Sequence, residues 1–438
     1  MNYKDNKKSS NIQTSFDAKE LSNYSGLTVL NAFSKKLGMH KLFSGIDINL
    51  HHNYHFSTSQ VLSSIVLGHL GGLNRVSKIE NFSRDPLVQR MLGLAKPIDA
   101  DTIANRINRF DKEHNNQLMS INGDLSSQVH KKLNTCEDIL DIDSTVFTVY
   151  GNQEGAAKGY NPSAIGRKSY HPLLGFLNST KECILSWLRP GNDYTSKDSD
   201  KFIKQLFAIL PDKIDKLMVR TDSGFFGNNF LSAVEARPNT EYVVKVKMRN
   251  MSEFLSNKQW EKIPEMPKWE MCKFEHQAKD WDKARTFVAL REDITEPVDN
   301  EGRLIKIKKY KYFCYVTNID DSPLMIHKIY GDRGECENWI EAVKNQMFAG
   351  AMRTKHFDAN QTLWQLGIIA YNLSLWLRKL TDHDSWKEEP ATFRAWFIIL
   401  AGKITRGGRK VFLKMYSEFY YKQRWRKIEN AVNDLVFA

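Results

Sequence analysis

The 438-residue sequence predicts an α/β protein with a mixed-sheet core, interrupted by a β-rich insertion and preceded by a helical N-terminal domain. Three observations carry this prediction. Apolar residues recur at helical spacing as far as residue 133, and β-branched and aromatic alternation takes over from residue 136. A strand-rich stretch at 241–320 then separates this region from a second helical one. Hydrophobic residues make up 41% and charged residues 26%, which excludes a wholly disordered chain.

Residues 1–25 are rich in Asn, Ser and Lys without apolar periodicity and read as a flexible basic arm. The helical domain is expected over 26–135. Ser57, Thr58 and Ser59 offer an N-cap ahead of Val61, Leu62, Ile65, Val66 and Leu70, and Gly71-Gly72 follows as a stop. Asp101 is placed to cap 102–110, where Ile103, Ile107 and Phe110 make an apolar stripe and Arg106 and Arg109 point outward. Such a helix can enter a major groove in a helix-turn-helix-like unit. Polar outer faces are equally the default for any small helical domain. His51 and His52 lack the acidic or cysteine company of a metal site.

The first part of the sheet core is expected over 136–240. It has a strand at 138–150, a meander at 173–177 and 183–188, a helix at 199–210, and a buried strand at 216–220. That strand runs into Thr221-Asp222-Ser223-Gly224, so Asp222 lies at a strand's C-terminal end, where α/β folds keep their sites. The insertion is expected over 241–320, with strands at 242–248, 269–276, 285–291 and 304–318. From 323 onward the pattern reads as helical to the end, with the second part of the core at 321–400 and a basic aromatic segment at 401–438. The apolar stretch 363–380 is broken by Gln365, Asn372 and Ser374 and is shorter than the roughly 20 apolar residues that span a bilayer. It reads as a buried helix. With a polar N-terminal stretch and five scattered cysteines, a cytoplasmic protein without membrane contact is expected.

The net charge of +12 is concentrated near the C-terminus. Between 403 and 427 stand Lys403, Arg406, Arg409, Lys410, Lys414, Lys422, Arg424, Arg426 and Lys427 against Glu418 alone. Phe412, Tyr416, Phe419, Tyr420, Tyr421 and Trp425 are interleaved. Cations beside rings suit a nucleic-acid surface, while a solvated helix with its rings packed on the body is the plainer alternative.

Three carboxylates stand out: Asp143 in a strand, Asp222 at the end of another, and Glu337 on a helix. An acid in a β-branched strand is costly to desolvate unless a cation holds it, and a divalent metal is one such cation. On a helix, Tyr330, Arg333, Glu337 and Lys344 fall within a stripe of about 60°. This edge can bind a metal and grip phosphates, or it can be an exposed face with an Arg333–Glu337 pair.

The spacing Tyr330, Arg333, Glu337, Lys344 resembles the Y-x2-R-x3-E-x6-K signature of bacterial insertion-sequence transposases with a DDE site. Asp143 in DIDST and Asp222 in RTDSGFF are similar to that family's first and second acid motifs, and 166–176 resembles a stretch between them. The resemblance implies a ribonuclease H-like core with two Mg²⁺ ions, or Mn²⁺, held by Asp143, Asp222 and Glu337. Asp141 shares a strand face with Asp143, so either can be the first ligand; the family pattern, an acid directly before small hydroxyl residues, favours Asp143. The implied activity is cut-and-paste transposition: hydrolytic nicking at the ends of an element, hairpin formation by the freed 3′-OH, and joining to target DNA. Arg333 and Lys344 become phosphate clamps and Tyr330 a backbone contact. Arg106, Arg109, Arg406, Arg409, Lys410 and Arg424 are the further DNA-binding candidates, and one of Trp260, Trp269 and Trp281 can stack on a flipped base. The partners implied are double-stranded transposon ends and target DNA, with a homodimer on DNA in a bacterial, nucleoid-associated setting. A DNA-binding protein that has lost catalysis and a ribonuclease H-like nuclease are the other readings.

Overall fold

A computed structural model describes residues 14–49, 54–247, 250–295, 297–300, 303–306, 308–351, 353–383 and 386–437, with side chains undescribed over 297–300 and 303–306. Residues 1–13 of the expected basic arm, and His51 and His52, lie outside the described residues. The N-terminal domain is helical as expected: α1 (Leu27–Lys36), α2 (Met39–Ser44), α3 (Thr58–Leu70), α4 (Val76–Ser83), α5 (Pro86–Leu92), α6 (Ala100–Ile107) and α7 (Lys112–Leu133). Ser57 caps α3 in a reciprocal box, its Oγ accepting from the Gln60 amide (3.1 Å) while its own amide donates to Gln60 Oε1 (2.9 Å). The cap of α6 is Asp99, not Asp101, because Asp99 stands three residues before Thr102 and accepts its amide at 2.7 Å.

The core is one nine-stranded sheet. Its strands are β1 (Glu137–Ser144), β2 (Leu173–Leu177), β3 (Glu182–Trp187), β4 (Lys216–Thr221), β5 (Thr240–Lys245), β6 (Glu261–Lys262), β7 (Trp269–His276), β8 (Arg285–Asp293) and β9 (Tyr310–Thr317), in the order β6-β7-β8-β9-β5-β4-β1-β2-β3. β1, β4 and β5 run parallel, and β2 and β3 are added antiparallel. This is a ribonuclease H-like arrangement. One boundary moves. Thr240–Lys245, read from sequence as the start of the insertion, is the parallel strand beside β4, and the insertion's long strands extend the same sheet through β9. Valines at 243 and 244, buried on both faces of the sheet, give this strand the unbroken apolar run of a central parallel position.

The long helix Phe357–Thr381 is buried on nearly all sides between the sheet and the N-terminal helices. Its polar residues serve the sheet's edge. Among the described residues β3 has no strand on its outer side, and Asn372 accepts from the Cys183 amide (2.9 Å) and donates to its carbonyl (2.8 Å). Gln365 donates to Ser186 O, and Asn122 of α7 donates to the Cys183 and Ile184 carbonyls. Amide side chains thus replace a missing strand, because buried backbone groups left unpaired are costly. Asn372 also bonds across helices to Asn122 (2.9 Å), whereas Ser374 presents its carbonyl to Arg378 of its own helix.

The C-terminal region is not helical throughout. A hairpin of β10 (Gly402–Gly407) and β11 (Lys410–Met415) precedes the last helix, Lys422–Asp434. Leu21 and Ser22 pair with β10, so this end of the expected flexible arm is fixed by the hairpin. Among the described residues no helix is long and apolar enough to cross a membrane.

Candidate active site

β1 and β4 bring the first two acids together. Ile142 pairs with Thr221 across the parallel ladder, so the next residues, Asp143 and Asp222, leave adjacent strand ends side by side. Asp222 accepts the Gly224 amide at 3.0 Å and caps a short 3-10 turn. Gly224 is required there, because a Cβ would stand 2.8 Å from Thr195. Thr195 in turn shares a hydrogen bond with Ser144 (3.1 Å). Arg189, missed in the sequence because it stands far from any motif, builds the loop that carries Thr195, donating to the carbonyls of His171, Tyr194, Thr195 and Lys197. His171 holds the same loop through the Asp193 carbonyl (2.6 Å), the structural turn role that a histidine before proline suggests.

Asp141 and Asp143 have different partners. Asp141 is fully buried and grips Arg220, its register neighbour on β4, through two 2.7 Å bonds, and Arg220 also donates to Ile329 O (2.8 Å). Asp143 instead meets Arg333 Nη2 at 2.9 Å and stays 14% exposed. Burial pushes the Asp143 carboxyl up to about 6, with Arg333 opposing the shift and the Asp222 charge adding to it. Two carboxylates this close, the charge of Asp222 adding to the rise at Asp143, form an oxygen donor set that fits a hard divalent cation.

The helix that follows is composite: Pro323–Gly331, a 3-10 turn Asp332–Gly334, Glu335–Glu341, and a π turn Ala342–Gln346. Its edge docks on the end of β1. Arg333 reaches Asp143, and Lys344 donates to Thr145 Oγ1 (2.9 Å) and Val146 O (2.8 Å). Tyr330 is half-buried against Tyr315, its ring centroid 4.7 Å away, and burial pushes its hydroxyl up to about 12. Glu337 lies on the same stripe, one turn beyond Arg333, but is exposed and makes no hydrogen bond or ion pair among the described residues. Among the described residues no three His, Cys, Asp or Glu gather in a metal-holding group. The structure therefore joins Asp143 and Asp222 and leaves Glu337 on the exposed helix edge beside them.

Two expected DNA contacts are otherwise employed. Arg106 is 3% exposed, with Nη2 bonded to Phe56 O and its guanidinium on the Tyr54 ring, so α6 turns it inward; Arg109 stays exposed. Arg424 is held by Asp382 and Glu388. Both were read from local charge, which does not show where the nearest acid or carbonyl lies. Arg406, Arg409 and Lys410 are exposed on the hairpin. Of the three tryptophans, Trp260 lies under Arg291 and Trp269 stacks on Phe313, while Trp281 packs on Phe226, four residues beyond Asp222.

Paired acids at the ends of parallel β1 and β4, with a basic helix edge across them, define a ribonuclease H-like core. The chain belongs to the family described as transposase DDE domain, group 1, whose model matches residues 4–436. Among solved structures it is similar to a piggyBac transposase synaptic complex with hairpin DNA, at 12% identity and a TM-score of 0.46, over 95% of this chain and 86% of that one. It also matches a Mos1 transposase paired-end complex with the left transposon end, at 10% identity and a TM-score of 0.19, over 44% of this chain and 60% of that one. A Mos1 mariner paired-end complex with Mn matches at 9% identity and a TM-score of 0.18, over 48% and 65%. No curated protein matches the chain.

Proposed function

We propose that this protein is an active DNA transposase that binds the terminal inverted repeats of an insertion sequence, cuts them and joins them to target DNA. The observation that carries this reading is the docking of the 330–344 helix edge on the strand ends that hold Asp143 and Asp222. Asp143 and Asp222 would hold Mg²⁺ or Mn²⁺, with Glu337 offered from the neighbouring edge as third ligand. A bound pair of divalent cations supplies charge stabilisation and an activated water for in-line displacement at phosphorus. Arg333 orients the Asp143 carboxylate and opposes its protonation. Lys344 ties the end of β1 to the helix, and with Tyr330 offers a cation and a hydroxyl to the DNA backbone. In the first step the water oxygen bonds to phosphorus and the P–O3′ bond breaks, leaving a 5′-phosphate and a 3′-OH. That hydroxyl then attacks a phosphorus of the opposite strand, whose P–O3′ bond breaks and releases the flanking DNA as a 3′-OH, and the hairpin so closed is later reopened by water for joining. Arg109, Arg406, Arg409 and Lys410 are the proposed outlying DNA contacts, and a homodimer is the proposed form on DNA.

The test is cleavage of a labelled duplex carrying the element's terminal repeat, with Mg²⁺ or with EDTA, by wild type and Glu337→Gln. Metal-dependent nicking followed by a hairpin, both lost in the variant, is expected. The exposed, unpartnered state of Glu337 favours a second reading, a DNA-binding protein that no longer cuts. Repeat-specific binding without cleavage by wild type would select it.

A further inference from the structure

The β10–β11 ribbon has two unlike faces. Ile404 is buried, and Leu413 and Met415 pack against the core, so the face they share looks inward. The register puts Lys403 opposite Lys414, Thr405 opposite Phe412 and Gly407 opposite Lys410 on the other face. Every residue from Arg406 to Phe412 is exposed, so the tip stands clear of the body. Between 402 and 415 there are five cations, Lys403, Arg406, Arg409, Lys410 and Lys414, and no acid. None of the five side chains makes an ion pair or hydrogen bond among the described residues, whereas those of Arg424 and Lys422 nearby are both bonded.

Two features of this ribbon are unfavourable for the protein alone. Lysines directly opposite one another repel across a strand pair. The two-residue turn Gly408-Arg409 holds both residues at positive φ, +52° and +66°, and the second place suits Gly or Asn, not Arg. A cation is kept at the tip against the preference of the turn. A polyanion laid along the ribbon relieves the lysine repulsion and gives the Arg409 side chain a contact that offsets the cost of its turn position.

We infer that the β10–β11 ribbon docks in the major groove of duplex DNA, with Arg406, Arg409 and Lys410 at its tip and Lys403 and Lys414 at its base on the phosphates that flank the groove. The inference rests on the DNA reading above and adds a specific contact element to it. The major groove is wide enough for a two-stranded ribbon, and Phe412 and Thr405 stand between the lysine pair and the tip, where base edges are met.

The experiment titrates full-length protein against a labelled duplex over a range of salt, comparing wild type with Arg409→Gly and with Arg406→Gln/Arg409→Gly/Lys410→Gln. Each lost phosphate contact flattens the plot of log affinity against log salt by about 0.9, so the triple variant should flatten it by about 2.7. Arg409→Gly gives the turn its preferred residue. It should therefore unfold no earlier in urea than wild type while still flattening the slope by about 0.9. Wild type should protect guanine N7 in the duplex from dimethyl sulfate, and the triple variant should not. An unchanged slope in the triple variant overturns the inference, as does unchanged N7 protection or a changed oligomeric mass at constant slope, which would make the ribbon a contact between copies. Wild type that fails to bind duplex at any salt overturns the DNA reading itself, and the ribbon's role with it.

Discussion

Asp141→Asn tests whether the two strand acids divide their work as the structure indicates. Asp141 and Arg220 are 0% and 1% exposed and meet through a two-pronged contact of 2.7 Å on each side. An asparagine there keeps the volume and one acceptor, but turns an amide donor toward the guanidinium and leaves its charge buried without an anion. Breaking one side of a buried pair in this way costs about 3–5 kcal/mol. Replacing both residues, Asp141→Leu with Arg220→Met, removes both desolvation costs and should recover most of the loss, short of about 1–3 kcal/mol for the Ile329 carbonyl that Arg220 no longer serves. Asp143→Asn behaves differently. At neutral pH an Asp143 carboxylate with its pKa raised to about 6 costs about 3 kcal/mol with the Arg333 contact already counted, and the substitution removes that cost. Urea unfolding followed by tryptophan fluorescence should therefore rank Asp141→Asn well below Asp143→Asn, with only the second losing cleavage at no loss of stability. Equal midpoints for Asp141→Asn and wild type, or the reverse ranking, would refute the reasoning and return Asp141 to the list of metal ligands.

Three further outcomes follow from the same contacts. Glu337→Gln should stay within about 0.5 kcal/mol of wild type in urea, because its side chain is exposed and unpartnered; a large loss would show a structural role. His69 is fully buried, bonded to Met347 O at 2.8 Å, and pushed down to about 4 by desolvation. The unfolded chain takes up this proton near pH 6.5 and the native one resists it. Stability is therefore whole above 6.5 and falls by about 3 kcal/mol as pH drops toward 4. His69→Phe should flatten that part of a urea-midpoint profile, and an unchanged acid limb would contradict the buried neutral state. Asn372→Leu leaves the Cys183 amide without its acceptor, which should cost about 1–3 kcal/mol and speed hydrogen exchange at that amide; unaltered exchange would show that another group serves it.

Much of the core was legible along the chain because its signals are local. Alternation in 138–144 and 216–221 marks the strands, Asp222-Ser223-Gly224 marks the turn that ends one, and the 3.6-residue period puts Tyr330, Arg333 and Lys344 on one helix edge. The hairpin at 402–415 was also written locally, since Ile404, Thr405, Val411 and Phe412 flank Gly407-Gly408. A dense run of cations and rings hid it behind a helical reading.

What the sequence by itself determined is the set of groups and their spacing along each element: the acids, the basic edge, the caps and the excess of positive charge. Only the tertiary structure decided how those groups are shared out. Asp141 and Asp143 stand on one face of one strand, and only the family pattern of an acid before small hydroxyl residues distinguishes them there. Arg220 takes the first because β4 lies in parallel register, and Arg333 takes the second because a helix nearly two hundred residues away packs on the strand's end. Arg106, Arg424 and Glu337 follow the same rule. Each looks the same in sequence whether it faces solvent, a carbonyl or a carboxylate. The partner comes from a distant element, and its charge and burial settle which groups are spent on the fold and which remain for chemistry.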